Sequence, residues 1–505
     1  MGTLEDTYDL LVIGGGVNGT AVARDAAGRG LSVLLCERDD LAEHTSSASS
    51  KLIHGGLRYL EYYEFRLVRE ALKEREVLLR AAPHIIWPMR FVLPYDKGLR
   101  PKWMLRAGLF LYDNLGAREI LPGTETINLE TDPKGASLES RFKTGFEYSD
   151  CWVEDARLVV LNARDAAERG ADVLSHTEVT GLSVKKGTGY EASLKAADGT
   201  ERTVTARGVV NAAGPWVEEV VGRLRAGRNE SGLRLVKGSH IVVPRMFEGE
   251  HAFIFQNADG RVIFAIPYER DYTLIGTTDI PYSPIEGKPK ASDEEISYLC
   301  EAANEYFEND ISPADVAWTY SGVRPLYDDK SEDASAVTRD YVMTLDDPGG
   351  YPFLSVYGGK ITTSRKLGEH ALEKLEGYYP DMGKAWTRDA HLPGGDIEDA
   401  DFESFHARMR SAHPEMDAEI LLRLCRGYGT EVETMLAEGP GKTLPGGLVE
   451  AEIRHLVKYE WVTEPEDALW RRTKRGLHMN DGERAAFSEW FRGAFSNMSG
   501  LACAV

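Results

Sequence analysis

Residues 8–37 carry the pattern that most narrows what this chain can fold into. YDLLVI (8–13) is an unbroken, mostly aliphatic run, as a strand buried on both faces requires. GGGVNG comes next and spaces Gly14, Gly16 and Gly19 as GxGxxG. The alanine-rich stretch 20–30 reads as a helix ending at glycine, and LSVLLCE (31–37) reads as a second buried strand closing on Glu37. Each residue type has a reason. Gly14 permits the tight turn, Gly16 lets backbone approach a pyrophosphate, and Gly19 allows close helix–strand packing. The helix N-terminus offers free N–H groups and a positive dipole to phosphates, and Glu37 can accept from a ribose diol. The segment therefore predicts a dinucleotide-binding α/β domain. The glycine motif alone leaves NAD and FAD open.

The chain beyond Glu37 bears on that choice. A nicotinamide enzyme would continue in regular βα alternation, but this chain enters TSSASSKLIHGGLRYL (45–60), a run of small and hydroxyl residues ending in His54, Arg58 and Tyr59. Such residues suit a backbone that passes along an extended cofactor. The length of 505 residues gives the whole chain room for about two to four domains. Its formal net charge of −22 argues against nucleic acid and disfavours nonspecific adhesion to anionic membranes. An anionic substrate must then be held by a local basic pocket. The five cysteines are dispersed, without metal-like spacing, and read as small buried hydrophobes in a reducing compartment. The first strand starts at Tyr8, so no signal peptide is expected, and no apolar run approaches the roughly 20 residues that span a bilayer.

Further motifs extend the pattern. They are GFEYSDCWVEDARLV (145–159), GVVNAAGPWV (208–217), KGSHIVVP (237–244), IGTTD (275–279), YSGVRPL (320–326), TRDY (338–341), VYGGKITTSRKL (356–367) and DALWRRTKRG (467–476). Together with IGGGVNG and TSSASSKLIHGGLRYLE, and in this order, they resemble the FAD-dependent, quinone-linked glycerol-3-phosphate dehydrogenases over nearly the whole chain. The resemblance implies a Rossmann-like FAD domain of the glutathione-reductase/D-amino-acid-oxidase type, an antiparallel-sheet substrate domain and a C-terminal helical domain. The boundaries expected are 7–80, 145–230 and 320–390 for the FAD domain, 81–144 and 231–319 for the substrate domain, and 395–505 for the helical one.

The resemblance implies non-covalent FAD. Its path would begin at Gly14, Gly15, Gly16, Asn18 and Gly19, with Glu37 and Arg38 at the ribose end. Thr45, Ser46, Ser50, Lys51 and Leu52 would line the pyrophosphate and ribityl chain, their hydroxyls donating to it. His54 and Gly55 would reach the ring, Ala213 and Gly214 the middle of the cofactor, and Gly358, Gly359, Lys360, Ile361 and Thr362 the flavin from a second helix N-terminus.

For the substrate, sn-glycerol 3-phosphate oxidised to dihydroxyacetone phosphate, a phosphomonoester calls for planar guanidinium groups. Arg58, Arg324 and Arg339 are expected there, with Tyr59 and Lys360. Removing hydride and proton from an alcohol needs a base near neutrality, which suits histidine. His54 and His240 are the candidates, with Arg324 as a catalytic partner, and the choice among them stays open. Two alternatives on the same fold are an oxidase using dioxygen and an amine or amino-acid oxidase.

Asp198-Gly199 and Asp259-Gly260 signal hairpins, Ser292-x-x-Glu295 a capping box opening a helix to about Phe307, and Leu60 onward a long helix. RPKWMLRAGLFLYDNLG (100–116) mixes basic and aromatic residues as an interfacial helix does, though a buried amphipathic helix with a charged rim fits too. The resemblance implies electron transfer to a membrane quinone, peripheral attachment at the cytoplasmic membrane face, and a homodimer. The C-terminal region lacks an EF-hand pattern.

Overall fold

The computed structural model describes residues 5–96, 100–116, 118–224, 232–257, 259–283, 287–327 and 340–495. The strand Thr7–Ile13 lies at the centre of the first sheet, parallel to Glu201–Asn211 on one side and Val33–Cys36 on the other. Phe353–Tyr357 and Asp172–Leu174 extend it in parallel, and Val342–Asp346 closes one edge antiparallel. A meander, Thr177–Lys185 and Gly189–Ala196, hangs from Glu201–Asn211, with Asp198-Gly199 at its turn as expected. Leu10, Leu11 and Val12 are wholly buried, which explains why the strand is continuously aliphatic from Leu10 to Ile13 rather than alternating.

The helices Val17–Gly28, Asp155–Glu168 and Ser364–Leu375 cover one face of this sheet. They can approach closely because their contact surfaces are small: Ala23, Ala26, Ala163 and Ala371 are all buried in one core.

The second sheet is largely antiparallel. Leu233–Pro244, Tyr272–Gly276, Val262–Tyr268 and Ala252–Gln256 run in sequence, and Ile86–Pro94 joins them through a parallel pair. The Asp259-Gly260 turn closes the expected hairpin, with Asn257 N–H bonded to Arg261 O at 2.9 Å. Asp293–Asn304 packs behind this sheet, opened by the reciprocal capping box of Ser292 and Glu295. It stops at Asn304, short of the expected Phe307.

Three strands fall outside the expected domain boundaries. Thr144–Val153 pairs with Ile86–Pro94 along its whole length, Trp318–Tyr327 pairs with Leu233–Pro244, and Leu52–Ile53 pairs with Thr144–Val153. All three complete the second sheet, so the chain crosses between the two sheets at strand ends. The long helix expected from Leu60 is also different. Residues 57–62 form a 3-10 turn, Tyr63 takes a left-handed conformation at φ 60°, and the α-helix runs only from Phe65 to Ala81.

The C-terminal domain is helical, with its own apolar core built from Phe402, Phe405, Met409, Leu421, Leu424 and Phe487 among others. Cys36, Cys151, Cys300 and Cys425 are buried free thiols, as expected, and Cys503 lies outside the described residues. No helix among the described residues is long and apolar enough to cross a membrane.

Candidate active site

An open cleft with about 990 Å³ of unfilled space runs along the carboxyl ends of the first sheet's parallel strands. Gly14, Gly16 and Asn18 line it at the start of the helix Val17–Gly28. Gly14 has φ +111°, and a Cβ there would meet Ala212 O at 2.5 Å. A Cβ on Gly19 would meet Gly14 O at 1.9 Å, so helix and strand pack with backbone against backbone. The turn is therefore built for close approach, as the sequence implied.

Glu37 spends both carboxylate oxygens on backbone, accepting from Gly15 N–H at 2.7 Å and Asp39 N–H at 2.9 Å. It still lines the cleft, so a ribose hydroxyl must use its remaining lone pairs. The Arg38 guanidinium stacks over Trp216 at 4.1 Å and His44 meets the same ring edge-on at 4.6 Å. His44 also bonds Asp39 at 2.8 Å, and that contact lowers the Asp39 carboxyl to about 2. Arg38, His44 and Trp216 thus form a flat box at one end of the cleft. Ala213 and Gly214 line its middle.

Of the segment 45–52, Thr45 and Ser46 line the cleft, and most of its side chains do other work. Thr45 donates to Val323 O at 2.7 Å, Ser50 pairs with His240 Nε2 at 2.9 Å, and Ser46 Oγ accepts from Val17 N–H at 3.0 Å. Only Ser46 keeps a hydroxyl hydrogen for a ligand while lining the cleft. Lys51 points away from the cleft. Its ammonium bonds both oxygens of Asp155 at 2.9 Å and Ser47 O at 3.0 Å, and it is almost fully buried. Leu52 is buried in the core beneath the second sheet. A lysine in an apolar setting needs a carboxylate partner, and Asp155 supplies one inside the fold.

Past this segment, His54 comes together with Lys360 and Thr362. The His54 backbone N–H donates to Thr362 Oγ1 at 3.2 Å, and that hydroxyl donates to His54 O at 3.3 Å. Asn18 Nδ2 reaches Gly358 O at 3.0 Å, which ties the first glycine turn to the second. Gly358 and Gly359 have φ +72° and +103°, and a Cβ on Gly359 would strike Asn18 at 2.8 Å. The Lys360 ammonium lies 3.8 Å from the Tyr59 ring centre, while Ile361 is partly buried against the core around Ile53 and Leu78. Burial pushes the His54 imidazole below its ordinary 6.5, with Asp150 opposing and Lys360 and Arg75 adding to the shift. It is therefore neutral at physiological pH and able to accept a proton.

Behind His54, the Gly55 N–H donates to Tyr112 Oη at 2.7 Å, and Tyr112 in turn bonds Asp150 at 2.8 Å. Arg75 donates to Asp150 at 2.6 Å. Sequence reasoning missed all three, because they lie far apart in the chain and meet only when the helix Lys102–Leu115 packs beside the strand Thr144–Val153.

The other expected residues stand elsewhere. His240 is sealed at 2% exposure, stacked on Tyr320 at 4.7 Å, with burial and then Arg324 and Lys51 holding it well below its ordinary pKa. It bonds Ser50 Oγ, and like His54 it stands outside the lining of the cleft itself. Arg324 is ion-paired with Asp279 and donates to Thr277 Oγ1 at 3.2 Å, so its guanidinium is already engaged. Arg58 donates to the exposed Tyr62 hydroxyl at 3.4 Å. Arg339 lies outside the described residues. Thr177, Glu178 and Val179 line the cleft without any local signal in the sequence, whereas Trp216 comes directly after the AAGP motif.

The FAD dependent oxidoreductase family model matches residues 9–365, and the C-terminal domain of alpha-glycerophosphate oxidase matches residues 385–491. D-erythritol 1-phosphate dehydrogenase of Brucella abortus (strain 2308) is 53% identical over 97% of this chain and 98% of its own. Aerobic glycerol-3-phosphate dehydrogenase of Escherichia coli (strain K12) is 48% identical over 96% of this chain and 97% of its own. The glycerol-3-phosphate dehydrogenase of Bacillus halodurans, solved in complex with FAD, superposes with a TM-score of 0.75 at 27% identity, covering 97% of this chain and 94% of that one.

The cleft fits FAD on its own chemistry. Its glycine turns leave backbone exposed to a pyrophosphate, the Arg38–Trp216 box offers a flat surface for an adenine, and the buried Asn18 Oδ1 has no protein partner on the cleft side. Gly14, Gly16 and Ser46 would hold the phosphates, Glu37 the ribose, and the turn at Gly358-Gly359 the ring. The cofactor is FAD, and this chain belongs to the FAD-dependent glycerol-3-phosphate dehydrogenase family.

Proposed function

We propose that this protein oxidises the secondary hydroxyl of a short polyol phosphate, glycerol 3-phosphate to dihydroxyacetone phosphate, and passes the electrons to a membrane quinone. The observation that carries this reading is the meeting of a neutral His54 and a cationic Lys360 beside the second glycine turn. Bound FAD supplies the acceptor for the hydride. The chain's own residues supply the rest. His54 accepts the hydroxyl proton, and Lys360 balances the substrate's negative charge.

A four-carbon polyol phosphate is the second reading, supported by the 53% identity to a D-erythritol 1-phosphate dehydrogenase. Steady-state assays with an artificial electron acceptor decide between them. A higher kcat/KM for glycerol 3-phosphate supports the first reading, and a higher value for D-erythritol 1-phosphate overturns it. Dioxygen consumption matched to substrate loss without added quinone would instead favour an oxidase.

The reading extends to the membrane surface through one face. The helix Lys102–Leu115 turns Leu109 and Tyr112 inward, yet leaves Trp103 and Phe110 each 69% exposed. Tyr63, at 79% exposure, lies on the neighbouring turn. Arg58, Arg66, Lys102 and Arg106 stand on the same helix or on the chain around that turn. Apolar rings with basic neighbours suit a peripheral attachment at the cytoplasmic face, where a quinone is accessible. A homodimer is part of the same proposal, and gel filtration with light scattering tests it.

A further inference from the structure

The C-terminal domain reaches the chain behind the cofactor cleft through the segment 463–474, at three separate supports. The first is Asp40, which sits in the loop between Glu37 and His44 and is wholly buried. The residues DALWRR form a π-helical turn, Asp467–Arg472, that brings Arg471 and Arg472 to the same carboxylate. Arg472 grips it in bidentate fashion at 2.9 and 2.8 Å, and Arg471 Nε closes on it from the rim. Arg472 is itself fixed by Glu460 O at 2.8 Å.

The second support is His176, whose Nε2 lies 3.2 Å from Thr463 Oγ1. Its own N–H bonds Asp39 O at 2.9 Å, and the next residue, Thr177, lines the cleft and bonds Glu37 O at 2.7 Å. The third is Glu154, ion-paired with Lys474. Its neighbour Asp155 bonds Ser49 Oγ at 2.8 Å as well as Lys51.

These three supports flank one stretch of chain, 37–51, and that stretch supplies the cleft wall: Glu37, Arg38, Ala42, His44, Thr45 and Ser46. The wall does not hold its shape by local preference. Ala42 and Lys51 are left-handed at φ 64° and 58°, conformations that residues with a Cβ keep only when their surroundings impose them. Asp40 has no solvent to turn to, so without the arginines its loop must move to hydrate the carboxylate.

We propose that the segment 463–474 is a clamp on the cofactor loop, with Arg472 and Arg471 as positioning residues that set how firmly FAD is retained. This assigns the C-terminal domain a part in cofactor binding although it lines none of the cleft among the described residues. It also accounts for the cluster Asp40, His176 and Asp467: the arginines neutralise it, and no cation is needed there.

The test is flavin release from full-length holoprotein after dilution, read as the rise in free flavin fluorescence, alongside thermal melting of the apoprotein. Arg472→Gln is expected to release flavin about tenfold faster, with Arg471→Gln intermediate and Arg472→Lys recovering part of the loss. Release rates within about twofold of wild type in all three variants, with a lowered apoprotein Tm, would overturn the proposal, because the arginines would then only dock the domain. Arg471 and Lys474 lie nearer the surface than Arg472. Should Arg472→Gln fail to fold, Arg471→Gln and Lys474→Met are measured in the same way and decide it by the same criterion.

Discussion

The Tyr112 hydroxyl lies 2.8 Å from both carboxylate oxygens of Asp150 and accepts the Gly55 N–H at 2.7 Å. Through this pair, a helix with an exposed apolar face reaches the backbone beside the proposed base. Tyr112→Phe removes the acceptor and leaves the Gly55 N–H facing Asp150 at 3.4 Å. The expected result is a loss of about 1–2 kcal/mol in stability and a kcat reduced about tenfold with little change in KM. Steady-state kinetics with urea unfolding check this. A wild-type kcat would remove Tyr112 from any positioning role.

His54 should govern the acid side of the pH profile. Its folded-state pKa is depressed by burial, so it stays deprotonated as pH falls through 6.5 and protonates only below that. The acid limb of kcat/KM is therefore expected below pH 6.5, and His54→Ala is expected to lower kcat about 100-fold and abolish that limb. Persistence of the limb in the variant would point to another base.

Lys360 and Arg58 should separate cleanly. Lys360→Ala is expected to raise the substrate KM about tenfold or more, as loss of a charged contact does. Arg58→Ala should change KM by less than about twofold, since its guanidinium is directed to an exposed tyrosine and an exposed contact contributes little. The opposite ranking would return Arg58 to the substrate pocket.

The Lys51–Asp155 pair is buried at both ends. Removing one partner leaves a charge without compensation, so Lys51→Met is expected to cost about 3–5 kcal/mol. Lys51→Met combined with Asp155→Leu should recover much of that loss. Urea titrations of the two variants decide it, and a single-variant cost below about 1 kcal/mol would contradict the burial of the pair.

His84 provides a test of acid stability. It is fully buried, neither ring nitrogen has a hydrogen-bond partner, and burial with Arg157 and Arg426 lowers its pKa from 6.5 to about 3. Between those values the unfolded chain binds the proton and the folded one does not. Stability is therefore fully present above pH 6.5 and falls, by up to about 1.4 kcal/mol per pH unit, as pH drops toward 3. In His84→Leu the slope of Tm against pH from 6.5 to 4 should be shallower. An unchanged slope would assign the acid sensitivity to other groups.

The outward rings of the helix Lys102–Leu115 test the membrane reading. Trp103→Ser with Phe110→Ser should reduce sedimentation with phospholipid vesicles at least about fivefold while leaving activity with a soluble acceptor intact, because neither side chain touches the cleft. Undiminished binding would move the attachment elsewhere.

The range of each interaction governs how much of it is legible in the sequence. The glycine turn at 14–19, the acid at Glu37, both Asp-Gly hairpins and the Ser292 capping box are local, and each stands where the residues indicate. The serine-rich stretch at 45–50 brings Thr45 and Ser46 to the cleft, but its hydroxyls cannot be assigned from sequence. Whether Thr45 donates to a ligand or to Val323 O depends on a residue 278 positions away. Sheet membership is illegible for the same reason. Thr144–Val153 and Trp318–Tyr327 have no local property that chooses between two sheets, and their partners decide.

The sequence by itself determined a dinucleotide-binding turn and a second glycine turn that carries Lys360, because backbone geometry and glycine spacing act over a few residues. Only the tertiary structure decided which charges the fold has already paired. Lys51 and Arg324 are in the expected stretches, yet Asp155 and Asp279 claim them. An ion pair forms with whichever carboxylate the fold brings within reach, and burial raises the cost of leaving that charge unpaired.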